Sequence, residues 1–192
     1  MKKAFSLTIA LLLITTAVFS QISIRPQIGI KASDLSYGTI QGKLTGKSGY
    51  IIGLDFQFGH PFYFQPGLNI NPEQLTIKNV GDVRITRVNI PVLVGFKLFE
   101  PSYQKSFGIR FFAGPNFAFK VNNTISGAIN DVSKEDFNQF TLSGIAGAGV
   151  DLSIFFLDLG YNFGLSDALS PQDVTGIRIN YFLVNAGLRI GF

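Results

Sequence analysis

Apolar and polar residues alternate along most of this chain, in segments long enough to cross a bilayer as tilted strands. The final segment shows the pattern most plainly. Phe182, Val184, Ala186, Leu188, Ile190 and Phe192 fall on one face, while Asn185, Gly187, Arg189 and Gly191 fall on the other, the period-two signature of a strand with unlike surroundings. Earlier segments repeat it. Ile22, Ile24, Ile28 and Ile30 oppose Ser23, Arg25, Gln27, Gly29 and Lys31; Tyr50, Ile52, Leu54, Phe56 and Phe58 oppose Gly53, Asp55 and Gln57. Phe62, Phe64, Leu68 and Ile70 oppose Tyr63, Gln65, Gly67 and Asn69. Val88, Ile90, Val92, Val94, Phe96 and Leu98 then oppose Arg87, Asn89, Pro91, Gly95 and Lys97. Phe107, Ile109, Phe111, Ala113, Phe117 and Phe119 oppose Gly108, Arg110, Gly114, Asn116 and Lys120. In the Gly- and Ala-rich stretch from Phe140 to Leu152, we place Leu142, Val150 and Leu152 outside and Ser143, Gly147, Gly149 and Asp151 inside. Phe155, Leu157, Leu159, Tyr161 and Phe163 face away from Asp158, Gly160, Asn162 and Gly164.

The segments make eight strands, and their connections alternate in length. Polar stretches 33–47, 71–82, 121–138 and 166–176 are long, and the intervening links, among them Gly59-His60-Pro61, are short. This rhythm predicts an all-β fold, an eight-stranded antiparallel transmembrane up-and-down β-barrel with short turns on the periplasmic side and long loops outside. Closure leaves no edge, which hydrocarbon demands because an unpaired amide there costs several kcal/mol. A soluble ligand-binding barrel would carry its polar face outward, the reverse of this pattern. Val83 and Ile85 are out of phase with Val88, and the phase slips again near Tyr181. Each slip marks either a bulge or the point where a strand leaves the bilayer.

Met1 to Ser20 begins with Lys2 and Lys3, continues apolar from Ala4 to Phe19 and ends in small residues, as a secretory signal peptide does. The expected organisation is therefore a cleaved leader, 1–20, and one barrel domain, 21–192. Composition agrees with lipid contact. Hydrophobic residues make up 46% and charged residues only 15%, below the roughly quarter share of water-facing proteins. Without Lys2 and Lys3 the chain holds 14 Lys and Arg against 12 Asp and Glu, so its basicity is no argument for nucleic acid. With no cysteine, disulfides and thiolate metal sites are excluded.

No catalytic, cofactor-binding or metal-binding set emerges. His60, the sole histidine, lies in a predicted turn, and one imidazole lacks the partners of a triad or a zinc site. Gly144 to Gly149 has no following helix and no Lys-Ser/Thr pair, so it is barrel packing rather than a phosphate loop. Asp131, Glu135 and Asp136 lack the spacing of a calcium loop. The inward face is richer. It is expected to carry Arg25, Lys31, Arg87, Lys97, Arg110, Lys120 and Arg189 against Asp55, Asp151 and Asp158. These form either a packed polar plug, as narrow eight-stranded barrels favour, or a path for anions. Tyr50, Phe58, Phe62, Phe107, Phe119, Tyr161, Phe163 and Phe192 lie near strand ends on the outer face, where interfacial girdles sit.

Arg87-Val88-Asn89-Ile90-Pro91-Val92-Leu93, Phe112-Ala113-Gly114-Pro115, and Gly144 to Val150 followed by Leu159-Gly160-Tyr161 resemble the PorT-like outer-membrane β-barrel family common in Bacteroidetes. The resemblance runs over essentially the whole chain after the leader. It implies a porin-like outer-membrane barrel with no catalytic residues to carry over, and it fixes a scaffold more than a function. The expected partners are outer-membrane lipid and the barrel-assembly machinery, met through the C-terminal strand ending in Phe192. A monomer that binds no nucleic acid is expected, and a membrane hydrolase would need an acid, base and nucleophile cluster that the sequence does not offer.

Overall fold

The computed structural model describes residues 22–36, 44–46, 49–77, 81–99, 107–126, 139–166 and 178–192. The leader-like stretch and most of the polar connections, including Asp131, Glu135 and Asp136, lie outside these. The strands are β1 (Ile22–Ser36), β2 (Leu44–Gly46), β3 (Gly49–Phe58), β4 (Phe62–Ile77) and β5 (Gly81–Phe99). They continue with β6 (Phe107–Ser126), β7 (Phe140–Leu152), β8 (Phe155–Gly164), β9 (Arg178–Leu188) and β10 (Ile190–Gly191). Every pairing is antiparallel: β1 pairs with β3, β2 with β4, the order then runs sequentially from β3 to β9, and β1 closes the sheet by pairing with both β9 and β10. Since β2 and β3 share β4 as partner, and β9 and β10 share β1, the ten segments form the eight staves of one closed barrel. The last residue seals the seam. The Phe192 amide donates to the Ile22 carbonyl at 2.8 Å.

Burial is inverted relative to a water-soluble protein, as a lipid surround requires. Ile28, Ile30, Ile52, Leu68, Val94, Leu159 and Phe182 are exposed on the outer wall, whereas Arg25, Lys31, Asp55, Arg110 and Asp158 are buried in the lumen. Of the expected girdle, Tyr50, Phe62, Phe107, Phe119, Phe163 and Phe192 are exposed, and Phe58 and Tyr161 are half-buried.

Four strands run farther than the alternation indicates. β4 continues to Ile77 and β5 starts at Gly81, so 71–82 is mostly ladder rather than loop; β6 likewise reaches Ser126, and β1 reaches Ser36. The cause is physical. Beyond the bilayer both faces of a strand meet water, so the ladder persists while the alternation that advertises it disappears. The slip at Val83 to Val88 coincides with a register shift between Thr86 and Arg87 in the β5–β6 pairing. Near Tyr181 the ladders to β1 and β8 run without a shift. Tyr181 instead points inward, and is buried.

Large inward side chains sit directly opposite inward glycines. Tyr63 pairs with Gly95, Phe112 with Gly147 and Phe156 with Gly187. A Cβ at Gly95 would strike the Tyr63 ring and the Phe111 carbonyl; at Gly147 it would strike the Phe112 ring and the Leu159 carbonyl. Asp158 opposite Gly149, Asp55 opposite Gly67 and Asn185 opposite Gly29 follow the same rule. Eight strands enclose a lumen just wide enough for side chains, so each long group needs a small one across the ladder. We expect Gly95→Val and Gly147→Val each to cost about 1–3 kcal/mol from overpacking. Gly191→Val, where nothing lies within 4 Å, is expected to stay within ~0.5 kcal/mol of the parent in urea unfolding in lipid vesicles. Equal stability of the three variants would refute the pairing rule.

Candidate functional site

The lumen is organised by a buried quartet drawn from four strands. Arg110 of β6 donates through Nε to Asp151 Oδ1 of β7 at 3.0 Å, and through Nη2 to Asp158 Oδ1 of β8. Arg25 reaches across from β1, donating through Nη2 to Asp158 Oδ2 at 3.4 Å and standing 3.8 Å from Asp151 Oδ1 through Nη1. Phe156 supplies an aromatic face to both guanidinium groups, 3.7 Å from Arg25 Cζ and 5.3 Å from Arg110 Cζ to the ring centroid. Arg25 and Arg110 have no solvent exposure. The alternation of β1, β6, β7 and β8 aims the four inward, and Gly149 opposite Asp158 makes room for the Arg110 head. Charges this deep are tolerated only when paired and hydrogen-bonded.

Amides carry the network along the lumen. Gln65 Nε2 donates to Asp55 Oδ2 at 2.7 Å, Gln57 Nε2 donates to Gln65 Oε1 at 3.1 Å, and Gln27 Nε2 donates to Asn69 Oδ1 at 3.1 Å. Farther from the short-turn end, Asn116 Nδ2 donates to Ser143 Oγ at 3.1 Å, and that hydroxyl donates to Asn162 Oδ1 at 2.8 Å. Lys31 Nζ lies 5.0 Å from the Tyr181 ring centre and Lys97 Nζ lies 5.8 Å from that of Tyr63. Tyr63 in turn donates its hydroxyl to the Phe111 carbonyl at 3.2 Å. Among the described residues, cavities of about 30 Å³ remain between these groups, one beside Asn116, Ser143 and Asn162 and another beside Gln27, Asp55 and Asn69.

Of the inward ionisable residues expected from the alternation, Arg25, Arg110, Asp151 and Asp158 come together in the quartet, and Asp55 stands beside them as the register partner of Arg25 while accepting from Gln65. Lys31, Arg87 and Lys97 are buried in the lumen as well. Lys120 and Arg189 are only half-buried; the latter occupies the break between β9 and β10, its amide donating to the Ile154 carbonyl at 2.6 Å. The alternation hides an apolar component of the lumen, Ile51, Leu93, Phe112, Ile145, Phe156 and Leu183. Several stand beside a second apolar residue, as in Ile51-Ile52 and Phe111-Phe112. Such doublets are the available signal, since only one member can face lipid. His60 is exposed in the turn, next to Gly59 at φ 101°. Among the described residues no group of three or more His, Cys, Asp or Glu side chains is placed to hold a metal ion.

A closed, inside-out barrel of this kind is matched by the family model for the outer membrane protein beta-barrel domain over residues 17–170. The chain belongs to that family. It resides in the outer membrane. The barrel resembles the outer membrane protein OprG from Pseudomonas aeruginosa, with a TM-score of 0.61, 13% identity, and coverage of 91% of this chain and 97% of that one. Neisserial surface protein A gives a TM-score of 0.51 at 11% identity, covering 88% of this chain and 97% of the other. The E. coli Outer Membrane Protein W gives 0.50 at 14% identity, covering 90% and 99%. At such identities the likeness is one of fold. No curated protein matches the chain.

Removing one member of the quartet leaves buried charge without its partner. Asp158→Ala is expected to destabilise the barrel by about 3–5 kcal/mol. Asp158→Leu combined with Arg110→Leu is expected to cost less than the two single changes added together, by about 0.5–3 kcal/mol, in a double-mutant cycle. Strict additivity would show that the two side chains do not interact.

Proposed function

We propose that this outer-membrane barrel is a non-conducting, non-enzymatic scaffold whose outer end makes its functional contacts. The observation that carries the reading is the Arg25, Arg110, Asp151 and Asp158 quartet, which spans the lumen from β1 to β6, β7 and β8 with no exposed guanidinium. An open ion path needs hydrated polar groups, not charges satisfied by one another and stacked on Phe156. The outer end supports the second half of the proposal. β5 and β6 contain 19 and 20 residues, while β8 contains 10. A tilted transmembrane strand needs only about 9–11, so the β5–β6 ribbon stands beyond the membrane on the side opposite the short turns. It pairs there from Asp82 with Ser126 to Thr86 with Asn122, a ready platform for an outside partner.

The same proposal includes a monomer, inserted by the barrel-assembly machinery through the strand ending in Phe192, with scaffold kinship to PorT-like barrels and none of the secretion role of their namesake. A second reading, a small porin with anion preference, is favoured by the cationic excess of Arg25, Lys31, Arg87, Lys97 and Arg110 over Asp55, Asp151 and Asp158 among the buried side chains. Conductance in a planar bilayer separates the two. With folding verified by heat-modifiable gel mobility, the refolded barrel is expected to leave the bilayer silent; discrete steps with anion selectivity would replace the scaffold by the porin.

A further inference from the structure

The lipid-facing wall of the barrel is not evenly filled. An open groove of about 530 Å³ crosses it over β4, β5 and β6, far larger than the lumen cavities of about 30 Å³ beside Asn116 and Gln27. The register explains the hollow. Phe64, Val94 and Ala113 share one outward rung, and Phe62, Phe96 and Phe111 share the next one toward the short turns. Val94 and Ala113 are too short to reach the height of those rings, so they make a floor and the phenylalanines a wall. The wall is preset, because the Phe62 and Phe96 rings hold each other with centroids 5.0 Å apart.

The chemistry of the groove and its place on the barrel name the occupant. Tyr63 has the only polar side-chain atom on the lining, and that hydroxyl is taken up by the Phe111 carbonyl. The groove therefore offers a ligand dispersion and apolar contact alone. It is continuous with the wall that hydrocarbon covers, since Phe62, Val94, Phe111 and Ala113 are all exposed on it. The rung from Phe58 through Phe64 and Val94 to Ala113 crosses four staves, about 14 Å at ~4.8 Å between strands. That length is close to half of the ~30 Å hydrocarbon core, the share of one leaflet. Phe62 directly follows the Gly59-His60-Pro61 turn, which sets the groove in the leaflet on the short-turn, periplasmic side. Among the described residues that end presents no fully exposed Lys or Arg, Lys97 and Arg110 being buried and Arg189 half-buried, so an anionic headgroup is not what is recognised. We propose that the groove is a binding site for one acyl chain of a periplasmic-leaflet phospholipid. The chain completes the wall over Val94 and Ala113, where a void would forfeit van der Waals contact. The site stands whether or not the barrel conducts.

Native mass spectrometry of the barrel, refolded in phosphatidylcholine vesicles and released into detergent, tests the site. The parent is expected to keep one lipid per chain at a detergent concentration that strips Ala113→Phe, in which a ring occupies the floor. Ala186→Phe, the same change at an exposed wall position of β9, is expected to keep the lipid. A phosphatidylcholine bearing a mid-chain diazirine is expected to cross-link to residues 62–64 and 111–113. Should Ala113→Phe fail to shift on a heat-modifiable gel, Val94→Phe takes its place, with the same loss expected. A parent that sheds lipid as readily as Ala113→Phe, equal loss from Ala186→Phe, cross-links spread evenly around the wall, or a dimer mass that Ala113→Phe abolishes would each overturn the site.

Discussion

Backbone amides have no water to bond in hydrocarbon, and the rest of this structure follows from that constraint. The sheet has to close, and it closes where β1 meets β9 and β10, with Phe192 bonded to Ile22 at the final rung. Closure around eight staves fixes a narrow lumen. The narrow lumen in turn favours glycine opposite bulky inward groups such as Tyr63, Phe112 and Phe156, and brings Arg25 and Arg110 to Asp151 and Asp158. Arg25 and Arg110 do not merely line the interior; Phe156, Asp151 and Asp158 fill the space between them.

The quartet illustrates how stability and function are coupled in such a barrel. Its members contribute little net stability compared with apolar packing of equal volume, because desolvating four charges is costly. What the pairing does provide is a set of contacts that fixes β1 against β6, β7 and β8 across the lumen. The cost of breaking it exceeds the gain of making it, because removing one partner leaves a lone buried charge behind.

The outer end obeys different physics. Above the bilayer, β4, β5 and β6 continue as a hydrogen-bonded ribbon while β7 and β8 stop near Phe140 and Gly164. Among the described residues the ladder is therefore longest along β4, β5 and β6. That ribbon is set apart from the paired charges lower in the lumen, because its rungs from Asp82 with Ser126 to Thr86 with Asn122 lie beyond the register shift.

Strand number, antiparallel order, the inward placement of Arg25, Asp55, Arg110, Asp151 and Asp158, and the bulge before Val88 were all legible in the sequence, because lipid outside and a polar lumen inside impose a strict period of two. Where both faces of a strand meet the same medium, that code falls silent. Hence the true lengths of β4, β5 and β6 emerged only in the fold, as did the inward Tyr181 and the inward members of the Ile51-Ile52 and Phe111-Phe112 doublets. Partner choice across the lumen was equally hidden. Alternation says that Arg25 points in, but which carboxylate it meets depends on strand stagger around a closed ring, and that is a property of the tertiary structure alone.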